Sequence, residues 1–370
     1  MWSLPAPLRD MILGGAYEIS TTVAVMRGGE LVAANIPVSS CPVTATITTS
    51  DGRGATLVTS RDVTDMGLLD PLSDSVIISS GIRGLVSVPL FTGRVDAHAE
   101  TETGEVAVAL LSKRQEIARD SFETPFAVRP GATFIDEVTR IIHDFDSTIA
   151  VDASQIPVTH AHTFTDMVPT GLAWETDRAQ ALNDLTDAIH VLWLPDRTGG
   201  IALQTHHFVH THDPVPVLTI RDGVDGVIVK MNQVKSRQDV FNAITLVVER
   251  TDNTLPIRVT QRDSDPGSPT LWGGPFGKQN RVIKINTPIN ASDASELAEH
   301  ILDASLALTR TWRIEIPPNP LIDPGDVVAV WYRGEPTLQL VESISYPNRA
   351  RASTVLATRQ LLASTFELDS

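Results

Sequence analysis

The chain has 370 residues, 42% of them hydrophobic and 20% charged, enough for two or three packed domains and unlike a disordered chain. Its formal charge of -16 argues against nucleic acid or an anionic membrane surface as a partner held by clustered Lys and Arg. The single cysteine, Cys41, excludes an intrachain disulfide and a cysteine-based zinc site. The opening MWSLPAPLRDMILGGAYEIS lacks the basic end and apolar stretch of a signal peptide, and no run of about 18 apolar residues occurs. The chain is therefore expected to be made and folded in a cytosol without entering a membrane.

In chain order, residues 17–48 read as strands. YEISTTVAVM alternates, GGELVAANIPV begins on a turn, and PVTATITTS is β-branched on every second residue. DGRG at 51–54 punctuates, and ATLVTSRDV is a further strand. MGLLDPLSDS is a polar connection. More strands follow in VIISSGIRGLVSVPLFTGRVDAHAE and TGEVAVALLSKR, so the first 115 residues are expected to be all-β, as in a sandwich or barrel. The period then changes. Thr133, with Asp136 three residues on, starts a helix whose one face holds Ile135, Val138, Ile141, Ile142 and Phe145. A second helix carries Leu182, Leu185, Ala188 and Ile189. VLWLPDRTGGIALQTHHF follows as a hairpin turned at PDRTGG. These residues predict a small α/β insert of two helices on a short sheet.

Strands return in VPVLTIRDG, VDGVIVKMNQV, VFNAITLVVE and LPIRVTQR, before the loop DSDPGSPTLWGGPFGKQN. SDASELAEHILDASLALTR is the strongest helix of the chain, with Ser292 as N-cap and Leu297, Ile301, Leu302, Ser305 and Leu308 on one side. That stripe is expected to pack across the C-terminal β module rather than lie free, and the strand where Trp312, Ile314 and Ile316 share a face follows at once. Glu296, Glu299 and Asp303 should face solvent or a neighbouring subunit. WRIEIP, DVVAVWYR, LQLVESIS and ASTVLATRQ give four closing strands.

THHFVHTHD, residues 205–213, is the one stretch that suggests metal chemistry. Extended, it points His206, His210 and His212 to one face and His207 to the other. His160 and His162 repeat the spacing of two. Two such strands have the ligand types of a zinc site, but no H-E-x-x-H spacing and no neighbouring glutamate supply a base. A strand edge exposing imidazoles to water is the reading preferred here. No G-x-S-x-G occurs, and GGPFGK at 273–278 runs into Gln279 without the Walker spacing or its Ser/Thr. It reads as a surface loop. Trp272 and Phe276 within it either anchor another subunit or fold back on their own domain. No residue is assigned a catalytic or metal-binding role, and no cofactor is expected.

Taken in order, these stretches resemble the tail hub proteins (baseplate hub, or tail-associated minor tail proteins) of long-tailed bacteriophages, in the form found in phages of actinobacteria. The resemblance spans nearly the whole chain. It starts with LLDPLSDS and GLVSVPLFTGRVDAHAETETGEVAVALLSKRQEIARDSFETPF and continues with WETDRAQALNDLTDAIHVLWLPDRTGGIAL, a helix and a "d..G" hairpin. KSRQDVFNAITLVVE matches "tR..vyN.V.V", RDSDPGSPTLWGGPFGKQ matches "a.D.dp.Sp....G.fG", and IPPNPLIDPGDVVAV matches "pnP.l..GD.V.V". No single motif is specific; the ordered set is. The chain departs at His190, where the family usually has a glycine after the helix.

The resemblance implies a mainly β (α+β) chain: a tail-tube-like β module at 1–124, a small α/β insert domain at 125–215, and a second tail-tube-like module with a long helix at 216–370. It implies a homotrimer whose six modules form a ring of near sixfold symmetry. Such a ring continues the tail tube and adapts it to a threefold tip, with a lumen through which DNA passes during ejection without specific binding. The implied partners are the distal tail or tube ring above, other tip or baseplate proteins and the tape measure protein. The implied place is the virion tail tip, assembled in the host cytoplasm, and the implied role is structural, not enzymatic. Two other readings are carried. One is a metal-dependent cell-wall hydrolase using His160, His162, His206, His210 and His212. The other is a receptor- or carbohydrate-binding tip module, which six Trp and three Tyr without a clustered platform support poorly.

Overall fold

The computed structural model describes residues 19–49, 51–82, 86–154, 167–205, 216–223, 226–238, 240–249, 255–307, 310–347 and 352–361. The chain is mainly β, as expected. Its first part supplies β1 (Ile19–Arg27), β2 (Glu30–Ala33), β3 (Val38–Ser40), β4 (Val43–Thr46), β5 (Arg53–Ser60), β6 (Asp74–Ile82), β7 (Val86–Glu100) and β8 (Glu105–Ser112). Alternation sets their inner faces: β5 buries Arg53, Ala55, Leu57 and Thr59, and β8 buries Val106, Val108, Leu110 and Ser112. The expectation of an all-β start is corrected at two places. Arg61–Asp65 is a short helix, α1, and Lys113–Arg119 is α2. The cause at α2 is local. Ser112 and Gln115 form a capping box, in which the Gln115 N–H donates to Ser112 Oγ at 3.4 Å and the Ser112 N–H to Gln115 Oε1 at 3.0 Å.

The middle part holds β9 (Phe126–Ala127), α3 (Phe134–Phe145), β10 (Val151–Asp152), β11 (Ala173–Trp174), α4 (Arg178–Ala188), β12 (Val191–Pro195) and β13 (Ile201–Thr205). Thr133 caps α3 through the expected box with Asp136, and Asp177 caps α4. Val138, Ile141 and Ile142 of α3 pack with Leu182 and Leu185 of α4 in one core, which also takes Ile117 from α2 and Phe122. The three-stranded sheet β10-β13-β12 closes it, with β12 and β13 forming the expected hairpin. His190 follows α4 with φ 54°, the left-handed geometry that glycine adopts without a side-chain penalty.

The last part holds β14 (Leu218–Arg221), β15 (Lys230–Lys235), β16 (Ala243–Val248), β17 (Ile257–Arg262), β18 (Asn280–Ile285), α5 (Ala291–Ala307), β19 (Arg310–Ile316), β20 (Val327–Tyr332), β21 (Glu335–Tyr346) and β22 (Thr354–Gln360). A 14-stranded sheet runs through first and last parts in the order β15-β19-β22-β21-β4-β5-β8-β7-β6-β1-β2. The seam is β4 against β21, with Ala45 opposite Ile344 and Val43 opposite Tyr346. One hydrophobic core accompanies it, from Val23 and Phe91 through to Trp312, Ile314 and Leu356.

α5 packs across the last part of the chain as expected, but on a different sheet from the strand that follows it, and its expected cap is corrected. It does not cover the strand of Trp312, Ile314 and Ile316, which belong to the large core. It packs instead on a separate sheet, β17-β16-β18, burying Ala294, Leu297, Ala298 and Leu302 against Ile244, Leu246, Val248 and Ile285. Its start is held by Asn290, not Ser292: Asn290 Oδ1 accepts the N–H groups of Ser292 and Asp293, both at 2.9 Å. Ser305, on the expected stripe, accepts the Phe241 N–H at 2.7 Å, and Leu308 lies outside the described residues.

Leu302 is 5% exposed and sits between α5 and its sheet. Leu302→Ala is expected to cost about 2–5 kcal/mol. Chemical denaturation followed by far-UV circular dichroism measures it, and a variant as stable as the parent contradicts the packing described.

Candidate functional site

The six clustered histidines, His160, His162, His206, His207, His210 and His212, lie outside the described residues. Among the described residues, no group of three or more His, Cys, Asp or Glu side chains is placed to hold a metal ion. The glycine-rich loop before Lys278 and Gln279 is fastened by its neighbours. Asn242 Nδ2 donates to the carbonyls of Thr270 and Gly277, and the Gln279 N–H donates to Asn242 Oδ1. Asp263 accepts from both Ser268 Oγ and Thr270 Oγ1 at 2.6 Å. Those bonds use the loop's polar groups internally, as a surface loop does. Trp272 and Phe276 are half-buried under cations of their own domain: Arg262 and Lys278 lie 5.4 and 5.7 Å from the Trp272 ring, and Arg237 lies 4.9 Å from Phe276.

One buried charged site was not singled out in the sequence. It forms where three separate stretches meet. Arg53, 5% exposed, enters from β5; its Nη1 donates to the Leu90 carbonyl at 2.9 Å and its Nη2 to Asp323 Oδ1 at 2.6 Å. Arg197, 3% exposed, enters from the β12–β13 turn, which Asp196 shapes by accepting the N–H groups of Thr198 and Gly200 at 2.7 Å. Its Nε donates to Asp323 Oδ2 at 2.8 Å and its Nη2 to the Ile322 carbonyl at 2.6 Å, while Nη1 reaches the Pro320 carbonyl. The Tyr346 hydroxyl, at the end of β21, lies 2.7 Å from the Ile322 carbonyl and 2.9 Å from Asp323 Oδ1, and accepts from Arg197 at 3.1 Å.

The loop carrying Asp323 is built to present it. Asn319 Oδ1 accepts the Leu321 N–H, Thr354 Oγ1 accepts the Asn319 N–H, and Asp326 Oδ2 accepts the Asp323 N–H at 2.8 Å. Two glycines allow the close approach. A Cβ on Gly52 would lie 2.5 Å from Pro195 Cδ, and one on Gly325 would lie 1.9 Å from Gln204 Nε2; both glycines have positive φ. The stretches PDRTGG and NPLIDPGD, far apart in the chain, thus meet on one carboxylate.

The electrostatics make this site a clasp. Burial pushes the Asp323 carboxyl up, but Arg53 and Arg197 outweigh it and hold the group at about 2. Burial opposes the charge on Arg53 too, yet Asp323 and Tyr346 raise it above the usual guanidinium range. Tyr346 is pushed above the ordinary phenol range, by burial first and then by Asp323. All three stay in one protonation state at neutral pH, so none is poised for acid–base work. Asp326 differs: burial pushes it up to about 6. A cavity of about 220 Å³ beside the clasp is walled by Arg53, Arg197, Gln204, Asp323 and Asp326.

No protein-family model matches the chain, and no curated protein does. Solved structures do. A tail protein from Neisseria meningitidis MC58 has a TM-score of 0.64 at 13% identity, covering 92% of this chain and 96% of its own. The 43 kDa tail protein of prophage MuSo2 from Shewanella oneidensis has a TM-score of 0.60 at 14% identity, covering 92% and 98%. Prophage tail protein gp18 from Listeria monocytogenes EGD-e has a TM-score of 0.52 at 11% identity, covering 92% and 94%. The chain has the fold of these phage tail proteins over nearly its whole length.

Two outcomes test the clasp. Arg197→Met leaves the part-buried Asp323 carboxylate with Arg53 alone and frees the Pro320 and Ile322 carbonyls, and is expected to cost about 1–3 kcal/mol in a denaturant titration; a loss below about 0.5 kcal/mol would show the pairing to be dispensable. Asp326 titrates near about 4 in an unfolded chain and at about 6 in the fold. The folded form therefore holds a proton that the unfolded form releases, so this contribution is full below about pH 4 and is lost as pH rises through about 6. Asp326→Asn should raise the Tm at pH 7 and leave it near the parent's at pH 4. A Tm lowered at pH 7 would contradict the assignment.

Proposed function

We propose that the chain is a structural protein of a bacteriophage tail tip: a homotrimeric hub whose two β-rich parts act as tail-tube-like modules. The observation that carries this reading is the continuous 14-stranded sheet joined at β4 and β21, in a fold shared with three phage tail proteins over 92% of the chain. Three copies supply six modules, enough for a ring of near sixfold symmetry that continues a tail tube and meets threefold tip components. Among the described residues the sheet ends in open edges at β2 and β15, where Leu31, Val32 and Val234 are exposed. Open apolar edges are a liability in a lone molecule and are resolved when copies assemble. The partners in this reading are the tube or distal tail ring above, other tip or baseplate proteins and the tape measure protein. The chain belongs to the virion and assembles in the host cytoplasm.

In this reading the first module is residues 1–124, the insert 125–215 and the second module 216–370. The lumen passes DNA during ejection, and the charge of -16 per chain favours passage without adhesion. Enzymatic activity forms no part of the role. The clasp supports this, because Arg53, Asp323 and Tyr346 are bonded chiefly to one another and to Arg197, and their shifts hold each in one protonation state at neutral pH. His160, His162, His206, His210 and His212 hold no metal in this reading.

Light scattering on the purified protein is expected to give three times the chain mass of 40.0 kDa, and images of the particle a threefold ring. A monomer, or six copies of this chain in one ring, refutes the hub. His206→Ala/His210→Ala/His212→Ala should assemble like the parent, and elemental analysis should find no stoichiometric zinc. Zinc at one per chain would favour the hydrolase instead.

A further inference from the structure

The unit formed by β16–β18 and α5 has two differently charged outer faces. Alternation sends Ile244, Leu246, Val248, Ile257, Val259, Ile283 and Ile285 under α5. The other side of the sheet presents Arg258, Thr260 and Arg262 from β17 and Val282 and Lys284 from β18, all exposed. Its centre is less polar. Thr245 bonds to Thr260 at 2.9 Å, Val247 is nearly buried, and Val282 stands 53% exposed. Arg258, Arg262 and Lys284 form no ion pair among the described residues. The concentration of positive charge is local. Residues 230–285 hold nine Lys and Arg against five Asp and Glu, a surplus of four in a chain whose total is -16.

The opposite side of the same unit is acidic. Along α5 stand Asp293, Glu296, Glu299 and Asp303, with no Lys or Arg in the helix. Glu296 and Glu299 are exposed. A basic layer with a partly apolar centre therefore lies back to back with an acidic one. Like faces repel, so charge disfavours a meeting of two copies sheet to sheet or helix to helix. A head-to-tail contact pairs opposite charges and has the charged rim and drier centre of an interface. Such a contact uses different patches on the two partners, so repeated copies either close a ring or run on as a filament.

The geometry points to a second copy of this chain as the occupant of the basic sheet face, seated through the acidic outer face of its α5. The inference rests on the trimeric reading for its closure: three such contacts, one per copy, complete the ring outside the large sheet. It adds to that reading the side of each subunit that meets the next.

Charge exchange tests it. The masses of the parent, Arg258→Glu/Lys284→Glu, Glu296→Lys/Glu299→Lys and the fourfold variant are measured by light scattering at low salt. The expected result is a trimeric parent, a smaller species for each single-face variant, and a trimer regained in the fourfold variant, whose faces are again complementary. That recovery excludes misfolding as the cause of the losses. Single-face variants that remain trimeric overturn this contact while leaving the hub reading intact; a monomeric parent overturns both. Loss without recovery, in variants whose far-UV circular dichroism matches the parent's, overturns the pairing of these two faces. Retention of duplex DNA by the parent in a filter assay, abolished by Arg258→Glu/Lys284→Glu at unchanged mass, assigns it to nucleic acid and overturns the proposal.

Discussion

Two buried guanidinium groups on one carboxylate set the terms for the rest of the molecule. Arg53 and Arg197 reach Asp323 at 2.6 and 2.8 Å from different parts of the chain. Taking such charges out of water is expensive, and the mutual attraction repays it only when the remaining donors are also satisfied. Here the carbonyls of Leu90, Pro320 and Ile322 and the Tyr346 hydroxyl take up most of those donors, with Arg53 Nε the buried exception. Hydrophobic contact tolerates small shifts; this set of bonds does not. Its contribution is therefore to relative position. It holds the insert's hairpin against the seam between the two β-rich parts, where looser apolar packing such as Leu194 against Val327 and Leu340 would permit sliding.

The same constraint explains why turn residues dominate the ordered motifs. Asp196 folds the hairpin turn so that Arg197 points inward, and Asn319 and Asp326 fold the opposing loop so that Asp323 does. Gly52 and Gly325 remove the side chains that would hold the pieces apart. Motifs far apart in the chain thus describe two sides of one contact. Asn242 and Asp263 play the equivalent part for the loop at 263–280, away from any reactive group.

Much of the fold is legible in the sequence because its signals are local. The Thr133–Asp136 box, the stripe of α3, the β12–β13 hairpin and the alternation of β5 and β8 are all present in short windows. What stays hidden is the choice among partners. The apolar stripe of α5 demands a sheet but does not say which. The following strand, with Trp312 and Ile314, is near in sequence, yet the sheet supplied is the one before it. Asn290 and Ser292 are both good caps two residues apart, and only backbone geometry selects the first. The clasp escapes for a related reason. Arg53 stands in the glycine-flanked DGRG where β5 begins and Arg197 in a hairpin turn, sites where arginine is ordinarily solvated, so neither is marked as buried by its own residue type.

The seam between β4 and β21 also has a consequence in time. Thr46 bonds to Glu342 across 296 residues of chain. At a synthesis rate of about 5–20 residues per second, β4 waits on the order of 15–60 s for its neighbour to emerge. The insert and the β16–β18 unit, each with its own core, can form during that interval. The large sheet cannot be completed until nearly the last strand is made. A chain cut short in translation therefore leaves the edge of β4 without its final neighbour, and only a chain made through β21 closes the seam.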